Sequence, residues 1–216
     1  MRQLRLLMTL AMSGVMMLMM SGISAADVII NHSNTAPMIG PDERAVALMD
    51  AETGTSVHGT ITNPSMGVLF SSTGDILFNG AINGVSAVRA VDGSINNITI
   101  GVPGSTFTDA IFDVYGVYLT NPGLTITVNL NDGTITQNLT LTAGQTSRNW
   151  FSLQTTNNET ISSIELSNAK FYGLESTNIS GAQSSVPEPS TIALVLSGLL
   201  GAGVKVRRIR KTKETV

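Results

Sequence analysis

The chain contains no cysteine and has few charged and few aromatic residues. Of its 216 residues, 12% are charged, 5% are aromatic and two are histidine. The absence of cysteine excludes a disulfide framework and thiol chemistry. Gly, Asn, Ser and Thr are abundant instead, which is common in extracellular β-proteins.

Positive charge is concentrated at the two ends of the chain. Between residues 27 and 189 there are 14 acidic residues, and the net charge of this stretch is near −10. Its basic residues are Arg44, Arg89, Arg148 and Lys170. A body this acidic does not bind nucleic acid by neutralising phosphates, so we expect no nucleic-acid partner.

The N-terminal segment has the pattern of a signal peptide. Arg2 and Arg5 precede an apolar stretch over residues 6–20 that is rich in Leu and Met. The small residues Ser24-Ala25-Ala26 follow, so signal peptidase is expected to cleave after Ala26. A second membrane helix is the alternative interpretation of this segment.

A second apolar segment lies near the C-terminus, over residues 190–206. A helix of about 17 residues is roughly 25 Å long, enough for a thin membrane. Basic residues beside an apolar segment stay in the cytoplasm. The pattern therefore predicts a transmembrane helix over 190–206 and a basic cytoplasmic tail over 207–216, with a buried core helix as the alternative. The basic residues are Lys205, Arg207, Arg208, Arg210, Lys211 and Lys213.

A Pro-Glu-Pro motif separates the acidic body from this apolar segment. It reads Val186-Pro187-Glu188-Pro189-Ser190. Each proline fixes its own φ and restricts the residue before it, so the motif is expected to be extended and accessible to a protease. A proline linker before an ordinary anchor is the alternative.

The motif, the apolar segment and the Arg-rich end together resemble the PEP-CTERM sorting signal of Gram-negative bacteria, from Ser185 to Lys213. The resemblance implies recognition and cleavage by a membrane-embedded exosortase, in a host that makes extracellular polysaccharide. The same C-terminal domain is also labelled an ice-binding-protein C-terminal domain. That label concerns the sorting tail and does not establish ice binding.

Alternation with period 2 dominates the body. In residues 124–130 apolar and polar residues alternate, Asn131-Asp132-Gly133 signals a turn, and residues 134–141 alternate again, which predicts a hairpin. Residues 44–49 are expected to form an early strand or a short helix. Further strands are predicted over 56–62, 67–71, 75–78, 86–91, 96–102, 110–118, 149–154, 161–166 and 170–175.

Many short strands with turn signals between them predict an all-β sandwich or jelly roll. Residues 57–178 also resemble other PEP-CTERM ectodomains, which implies a galactose-binding-like jelly roll. The expected organisation is a signal peptide over 1–26, a β-sandwich ectodomain over 27–180 and a linker with the motif over 181–189. The transmembrane helix and the tail follow.

Candidate catalytic residues are few. No nucleophile elbow or metal-ligand spacing surrounds His32 or His58, and His32 is close to the predicted mature N-terminus, where chains are often disordered. Asp109 and Asp113 are a carboxylate pair of the type that glycosidases use, but four residues apart in a strand they share a face at a distance. We therefore expect no enzymatic activity.

Aromatic residues are the candidate sugar contacts. Tyr115, Tyr118, Trp150 and Tyr172 are predicted to offer platforms for sugar rings, and burial in the core is the alternative. No cofactor or metal is expected.

A structural calcium ion is the alternative to a metal-free body. Its candidate ligands are Asp75, Asp92-Gly93 and Asn131-Asp132-Gly133. Each of these is also a turn residue, and the turn interpretation is preferred.

A row of threonines on the hairpin is the candidate ice-binding surface. Thr125 and Thr127 are expected to share one side with Thr134, Thr136 and Thr140, but Thr is favoured on any exposed β-face.

The sequence as a whole predicts a non-enzymatic, exosortase-sorted protein. It is expected to begin as an inner-membrane-anchored precursor and then to reach the cell surface or extracellular matrix. Its expected partners are signal peptidase, exosortase, the membrane and extracellular polysaccharide. A polysaccharide-acting hydrolase and an ice- or mineral-binding protein are the alternatives.

Overall fold

A computed structural model describes residues 28–48, 52–62, 65–82, 84–118, 123–131 and 133–184. These residues belong to two compact units, of which the first ends at Ala182 and the second begins at Gln183. In the described part of the chain, no helix has the length and apolarity that crossing a membrane requires. The predicted signal peptide, cleavage site at Ala26, sorting motif at 186–190, helix at 190–206 and basic tail lie outside the described residues.

The described part of the first unit consists of β-strands and their connections. The strands are β1 (Val28–Ser33), β2 (Arg44–Ala45), β3 (Ala47–Leu48), β4 (Thr53–Gly54), β5 (Ser56–Ile61), β6 (Met66–Ser71), β7 (Leu77–Ile82), β8 (Val85–Ala90), β9 (Ile98–Gly101), β10 (Ser105–Thr106), β11 (Asp109–Val117), β12 (Gly123–Leu130), β13 (Thr134–Thr140), β14 (Gly144–Thr155), β15 (Ile161–Ser167) and β16 (Phe171–Ser180). The described part of the second unit is the short strand β17 (Gln183–Ser184).

Two antiparallel sheets contain all the described strands of the first unit except β10. Sheet A has eight strands, in the order β1-β14-β11-β16-β8-β7-β4, with β2 paired to β16. Sheet B has seven strands, in the order β13-β12-β15-β9-β6-β5-β3. The chain passes from sheet A to sheet B between β2 and β3, where Val46 is buried. The strands therefore confirm the all-β class.

Both sheets contribute side chains to one hydrophobic core. Phe112 of β11 and Phe151 of β14 come from sheet A, and Phe70 of β6 and Ile126 of β12 come from sheet B; all four are fully buried. The two phenylalanine rings of sheet A stack with centroids 5.4 Å apart. Truncating one such ring to alanine typically costs about 3–5 kcal/mol of stability, so these rings hold the two sheets in place.

The hairpin of β12 and β13 shows why the alternating pattern is informative. Leu124, Ile126 and Val128 are buried, while Thr125 and Thr127 between them face outward. The partner strand pairs in register, with Thr127 opposite Thr136. The predicted hairpin is confirmed, because a period of 2 places alternate side chains on opposite faces of a strand.

All the other predicted strands are present, with boundaries shifted by a few residues. The largest differences are at β14 and β16, which are longer than predicted, and at β7, which begins at Leu77 and not at Asp75. Residues 44–48 form the short strands β2 and β3, so the strand interpretation holds and the helical one is wrong. The expectation of a disordered end at His32 is also wrong, because His32 lies in β1, paired opposite Phe151 of β14.

Asp75 joins two connections by which the chain changes sheets. One connection leads from β6 to β7 and contains Asp75; the other leads from β8 to β9 and contains Asn96 and Asn97. Asp75 Oδ2 accepts the Asn96 N–H at 2.9 Å and the Ser72 hydroxyl at 3.2 Å, and Oδ1 accepts Asn96 Nδ2 at 2.8 Å. Burial alone would raise the pKa of Asp75, but these hydrogen bonds outweigh it and lower the pKa.

We predict that Asp75→Asn destabilises the protein by about 2 kcal/mol, because hydrogen bonds to a buried charged acceptor are lost. The pKa of Asp75 is lowered, so its stabilising effect is present above the ordinary carboxyl pKa and disappears as the pH falls through the lowered value. Urea unfolding at several pH values measures both effects. Asp92→Asn is the control, since Asp92 Oδ1 accepts one N–H, from Ser94 at 3.2 Å. Equal destabilisation by the two variants would contradict this role of Asp75.

Candidate functional site

The outer face of sheet A, opposite the core, carries four aromatic rings and two of the four basic side chains of the body. Phe112 and Val114 of β11 point into the core, so Asp113 and Tyr115 point the other way. Strand pairing places Arg148 opposite Tyr115, Tyr115 opposite Gly173, Gly173 opposite Arg89 and Arg89 opposite Phe78. One line across five strands thus holds two arginines and two rings.

A second line runs beside the first and carries the acidic side chains. Trp150 is opposite Asp113, and Asp113 is opposite Glu175. Glu175 is opposite Ala87 of β8. We call the six residues that carry rings or guanidinium groups on this face the cation–aromatic row: Phe78, Arg89, Tyr172, Tyr115, Arg148 and Trp150.

Arg148 forms ion pairs with two carboxylates that solvent does not reach. Its Nε lies 3.0 Å from Asp113 Oδ2, and its Nη2 donates to Glu175 Oε2. Both carboxylate side chains are 0% exposed, whereas the Arg148 side chain is 39% exposed. The guanidinium also lies 5.8 Å from the Tyr115 ring and 5.6 Å from the Trp150 ring, within cation–π range. Arg148 therefore covers the two acids and holds two rings.

The two buried acids share a single positive charge. Burial raises the pKa of Asp113, although Arg148 and the Asn149 N–H act in the opposite direction. Burial also raises the pKa of Glu175; Arg148 lowers it, and the neighbouring charge of Asp113 raises it further. Glu175 Oε1 is buried and has no hydrogen-bond partner among the described residues. This pair therefore binds protons more tightly in the folded chain than in the unfolded chain.

The other end of the cation–aromatic row is built around Arg89. Its guanidinium carbon lies 4.1 Å from the centroid of the Tyr172 ring and 5.3 Å from that of Phe78. Its Nη2 also donates a hydrogen bond to Tyr172 Oη. Tyr172 in turn meets Tyr115 edge to face, with centroids 6.2 Å apart. Arg89, Tyr172 and Tyr115 are thus in continuous contact.

Two glycines make room for this arrangement. Gly116 has a φ of +67°, and a Cβ there would lie 2.8 Å from Tyr172 Cβ and 2.9 Å from the carbonyl oxygen of Gln145. A Cβ at Gly173 would lie 2.7 Å from Ile82 Cδ1. Side chains at these positions would displace the neighbours that line the outer face. Glycine is therefore required by space and by backbone conformation at Gly116, whereas a side chain at Gly173 would require Ile82 to shift.

A cavity of about 430 Å³ opens on this face. Tyr115, Tyr118 and Tyr172 line it together with Ala81, Ile82, Gly116, Gln145 and Thr146. The Tyr118 ring is held at the rim, since its Oη donates to the Gly93 carbonyl oxygen at 3.0 Å. The volume of the cavity, and its aromatic lining with a few polar groups, fit a small-molecule or sugar site.

Three of the four predicted sugar-contact residues therefore meet in one cavity. Tyr115 is 8% exposed and Tyr118 is 36% exposed, so one is mostly buried and the other is accessible. Trp150 is 7% exposed and does not line this cavity; it packs against the Arg148 guanidinium. Sequence reasoning missed Arg89, Arg148 and Glu175, because single charged residues in strands usually lie in solvent and give no separate signal.

The two histidines lie apart from the cavity. His32 stacks on Phe151 with centroids 4.9 Å apart, and its Nε2 lies 3.0 Å from Asn149 Oδ1. His58 is bound to Glu52, and the hydrogen bond from the His58 side chain lowers the pKa of that carboxyl group. Neither imidazole therefore lines the cavity or lies against Tyr115 or Tyr172.

The remaining candidate residues are distributed over both sheets. Asp109 and Asp113 both lie in β11, as expected, and Asp109 Oδ2 accepts the Ser180 hydroxyl at 2.7 Å. Of the candidate calcium ligands, Asp75 is bonded to backbone and side-chain donors, and Asp132 lies outside the described residues. No cluster of three or more His, Cys, Asp or Glu suited to a metal ion occurs in the ranges that the structure describes.

The predicted threonine row lies on the outer face of sheet B. Thr134, Thr136 and Thr140 are exposed, as expected from the alternation in β13. Strand pairing extends the line from Thr136 through Thr127, Glu165 and Thr99 to Ser71. The outer face of sheet B is therefore rich in hydroxyl groups, in contrast to that of sheet A.

Comparison with known proteins identifies the C-terminal segment. Residues 185–211 match the family described as the PEP-CTERM protein-sorting motif. The chain carries a PEP-CTERM sorting motif. This confirms the resemblance seen in the sequence, and it indicates an exported protein that an exosortase processes and that is sorted to the surface or the extracellular space. No curated protein and no solved structure matches the chain.

The PEP-CTERM match begins at residue 185 and does not include the body. The body is therefore interpreted from its own geometry. The cavity and the cation–aromatic row lie between residues 78 and 172, well before the motif. The sorting signal thus concerns where the protein goes. The outer face of sheet A is the best-formed candidate for a binding surface on the body.

We predict that Gly116→Ala destabilises the protein by about 3 kcal/mol or more. A positive φ alone costs a non-glycine residue about 1–2 kcal/mol, and the contacts with Tyr172 and Gln145 add to it. Gly104→Ala is the matched control, since Gly104 has a φ of +69° and a Cβ at that position would meet no atom within 4 Å. Chemical denaturation of both variants measures the difference. A loss no larger at Gly116 than at Gly104 would show that the cavity wall tolerates a side chain.

We predict that Glu175→Gln makes stability less dependent on pH. The pKa values of Asp113 and Glu175 are raised, so their favourable effect is complete below the ordinary carboxyl pKa and is lost as the pH rises through the raised values. Glutamine keeps an oxygen for Arg148 and leaves one negative charge for one positive charge. The free energy of unfolding of the variant should therefore increase relative to that of the wild type as the pH rises, by about 1.4 kcal/mol for each unit by which the pKa is raised.

Unfolding free energies between about pH 4 and about pH 8, on either side of the carboxyl range, test this pair. Glu165→Gln on the outer face of sheet B makes the same chemical change at a half-exposed position. If the unfolding free energies of Glu175→Gln and Glu165→Gln depend equally strongly on pH, the shared-charge description is refuted.

Proposed function

We propose that this is a non-enzymatic, exosortase-sorted surface or matrix protein whose body binds extracellular polysaccharide at the cavity on the outer face of sheet A. The observation that carries the proposal is that Tyr115, Tyr118 and Tyr172 line one cavity of about 430 Å³. The sorting motif gives the setting, since it implies export to the surface or extracellular space. The galactose-binding-like jelly roll belongs to the same proposal, supported by two antiparallel sheets that share a core.

The chemistry of the cavity suits a sugar ring. A pyranose has an apolar face of C–H groups that packs on aromatic rings, and a rim of hydroxyls that needs hydrogen-bond partners. Tyrosine rings supply the first, and the Gln145 and Thr146 positions at the rim supply the second. The rings are fixed by contacts with each other and with arginine, so little conformational entropy is lost on binding.

The burial of the acids supports the non-enzymatic part of the proposal. A glycosidase needs two carboxylates in an open cleft, roughly 5–10 Å apart, with access to the sugar. Asp113 and Glu175 are adjacent across strands but 0% exposed and covered by Arg148. In this arrangement their chemistry is to hold Arg148, which places the rings.

Ice or mineral binding is the second candidate function, favoured by the hydroxyl line on the outer face of sheet B. Thr136, Thr127 and Thr99 lie in this line. Glu165 stands between two of them and interrupts the repeat with a carboxylate. We place this candidate after polysaccharide binding, because Glu165 interrupts the line and hydroxyls of this face are engaged by neighbouring side chains, as Thr125 is by Asn138 at 2.6 Å.

We predict that Tyr118→Ala and Tyr172→Leu each weaken polysaccharide binding about tenfold, since a well-placed ring contact is worth about 1 kcal/mol or slightly more. Native gel electrophoresis with dextran, galactan, alginate or polygalacturonate in the gel measures retardation. The protein is the form exported by an exosortase-bearing host, with its termini checked by intact mass. Thr136→Ala on the outer face of sheet B is the control variant.

Tyr118 is partly exposed, so its removal tests binding with little effect on folding. Retardation that both tyrosine variants retain in full would place binding elsewhere. Retardation lost in Thr136→Ala alone would favour the outer face of sheet B, and no retardation of the wild type by any of these glycans would remove the support for polysaccharide binding.

A further inference from the structure

The two arginines of the cation–aromatic row differ in one respect, which is the presence of an acidic partner. Arg148 is neutralised by Asp113 and Glu175 beneath it. Arg89 forms no ion pair with any carboxylate among the described residues, although the body carries a net charge near −10. In such an acidic body, a half-buried arginine without an acidic partner is unexpected.

Arg89 also has unused hydrogen-bonding capacity. A guanidinium carries five N–H donors. In the described part of the chain, its side chain donates one hydrogen bond, from Nη2 to Tyr172 Oη, and its Nε is buried without an acceptor. The remaining interactions are with the faces of Tyr172 and Phe78, which attract a cation but accept no strong hydrogen bond.

The position of Arg89 relates it directly to the cavity. Its guanidinium carbon is 4.1 Å from the centroid of the Tyr172 ring, which lines the cavity. Gly173 lies opposite it in the strand pair, and a Cβ there would be 3.4 Å from Arg89 Cγ, so the arginine stem crosses a position that has no side chain. Tyr172 Oη accepts from Arg89 and keeps its own proton to donate. The Arg89 guanidinium and the Tyr172 hydroxyl are thus adjacent donors, and the second belongs to a residue that lines the cavity.

We propose that the cavity selects an acidic polysaccharide, one whose sugar carries a carboxylate, and that Arg89 with Tyr172 binds that carboxylate. The proposal rests on the proposed polysaccharide function and specifies its ligand class. A planar guanidinium matches the two oxygens of a carboxylate, and the pair is strong where water is partly excluded. The sugar ring would pack on Tyr115 and Tyr118 while its acid group meets Arg89.

The overall charge of the body makes the inference specific. A net charge near −10 repels polyanions at long range, so non-specific attraction does not explain a preference for an acidic glycan. Such a preference requires a local cationic group. Arg89 is the cation of the described cation–aromatic row that no carboxylate neutralises.

The test compares glycans that differ only in the carboxyl group. Polygalacturonate and alginate are each run beside their carboxyl-reduced forms, in which the acid is converted to a neutral alcohol on the same sugar. Native gel retardation of the full exported protein gives relative affinities. We expect the wild type to bind the acidic form of at least one pair about tenfold or more tightly than its reduced form, the effect of one charge-assisted contact.

Arginine variants assign that preference to one residue. Arg89→Gln should abolish the preference for the acidic form, while Arg89→Lys should keep part of it, because lysine keeps the charge and loses the planar fork. Arg44→Gln is the matched control: it removes one positive charge from the body, and the Arg44 guanidinium bonds to the Pro41 and Glu43 carbonyl oxygens, whereas that of Arg89 contacts Tyr172. Thermal unfolding of each variant confirms that it is folded.

The outcomes separate the two proposals. Equal binding of acidic and reduced forms by the wild type would overturn the acidic-ligand inference and leave polysaccharide binding standing. A preference that survives in Arg89→Gln, or that Arg44→Gln reduces equally, would overturn the role of Arg89. If neither form of either glycan is retarded, the polysaccharide function fails and this inference fails with it.

Discussion

The outer face of sheet A depends on one guanidinium placed over two carboxylates. Moving a carboxylate out of water costs several kcal/mol even after relaxation, and a buried ion pair offsets that cost only with good geometry. Arg148 supplies the compensating charge to Asp113 and Glu175 and lies within cation–π range of Tyr115 and Trp150. A planar guanidinium donates hydrogen bonds at its edge and stacks on aromatic rings with its face. The same side chain therefore compensates the buried acids and positions the rings.

The two sheets share one core, but their outer faces differ in chemical character. Both contribute apolar residues to one cluster, so each must present its other face outward. Sheet B presents hydroxyls such as those of Thr127 and Thr136, while sheet A presents the cation–aromatic row and the cavity. Rings that are fixed before a ligand arrives lose little entropy on binding. In the proposed function, this asymmetry separates a binding face on sheet A from a hydrated face on sheet B.

The fold followed from local pattern, whereas the site did not. A period of 2 in residues 124–130 determines which side chains enter the core, and it needs no knowledge of the partner strand. The carboxylate of Glu175 shows the limit: its strand is predictable, but its burial arises from pairing with β11, far away in the chain. Tyr115 and Tyr172 are candidate sugar contacts from residue type alone, and their meeting in one cavity depends on the same long-range pairing. Gly116 gives no signal in the sequence, since the need for glycine there comes from the approach of Tyr172.

Side-chain NMR of the arginine Nε–Hε groups tests the central claim most directly, because it reports the place of binding and not only its strength. Oligogalacturonate is titrated into the exported protein, with Arg44 as the internal reference. The account predicts that the resonances of Arg89 and of the Tyr172 and Tyr115 rings shift together and saturate, while Arg44 and the threonines of β12 and β13 stay unchanged. Shifts confined to Thr125, Thr127 and Thr136 would contradict it, as would a titration in which none of these resonances moves.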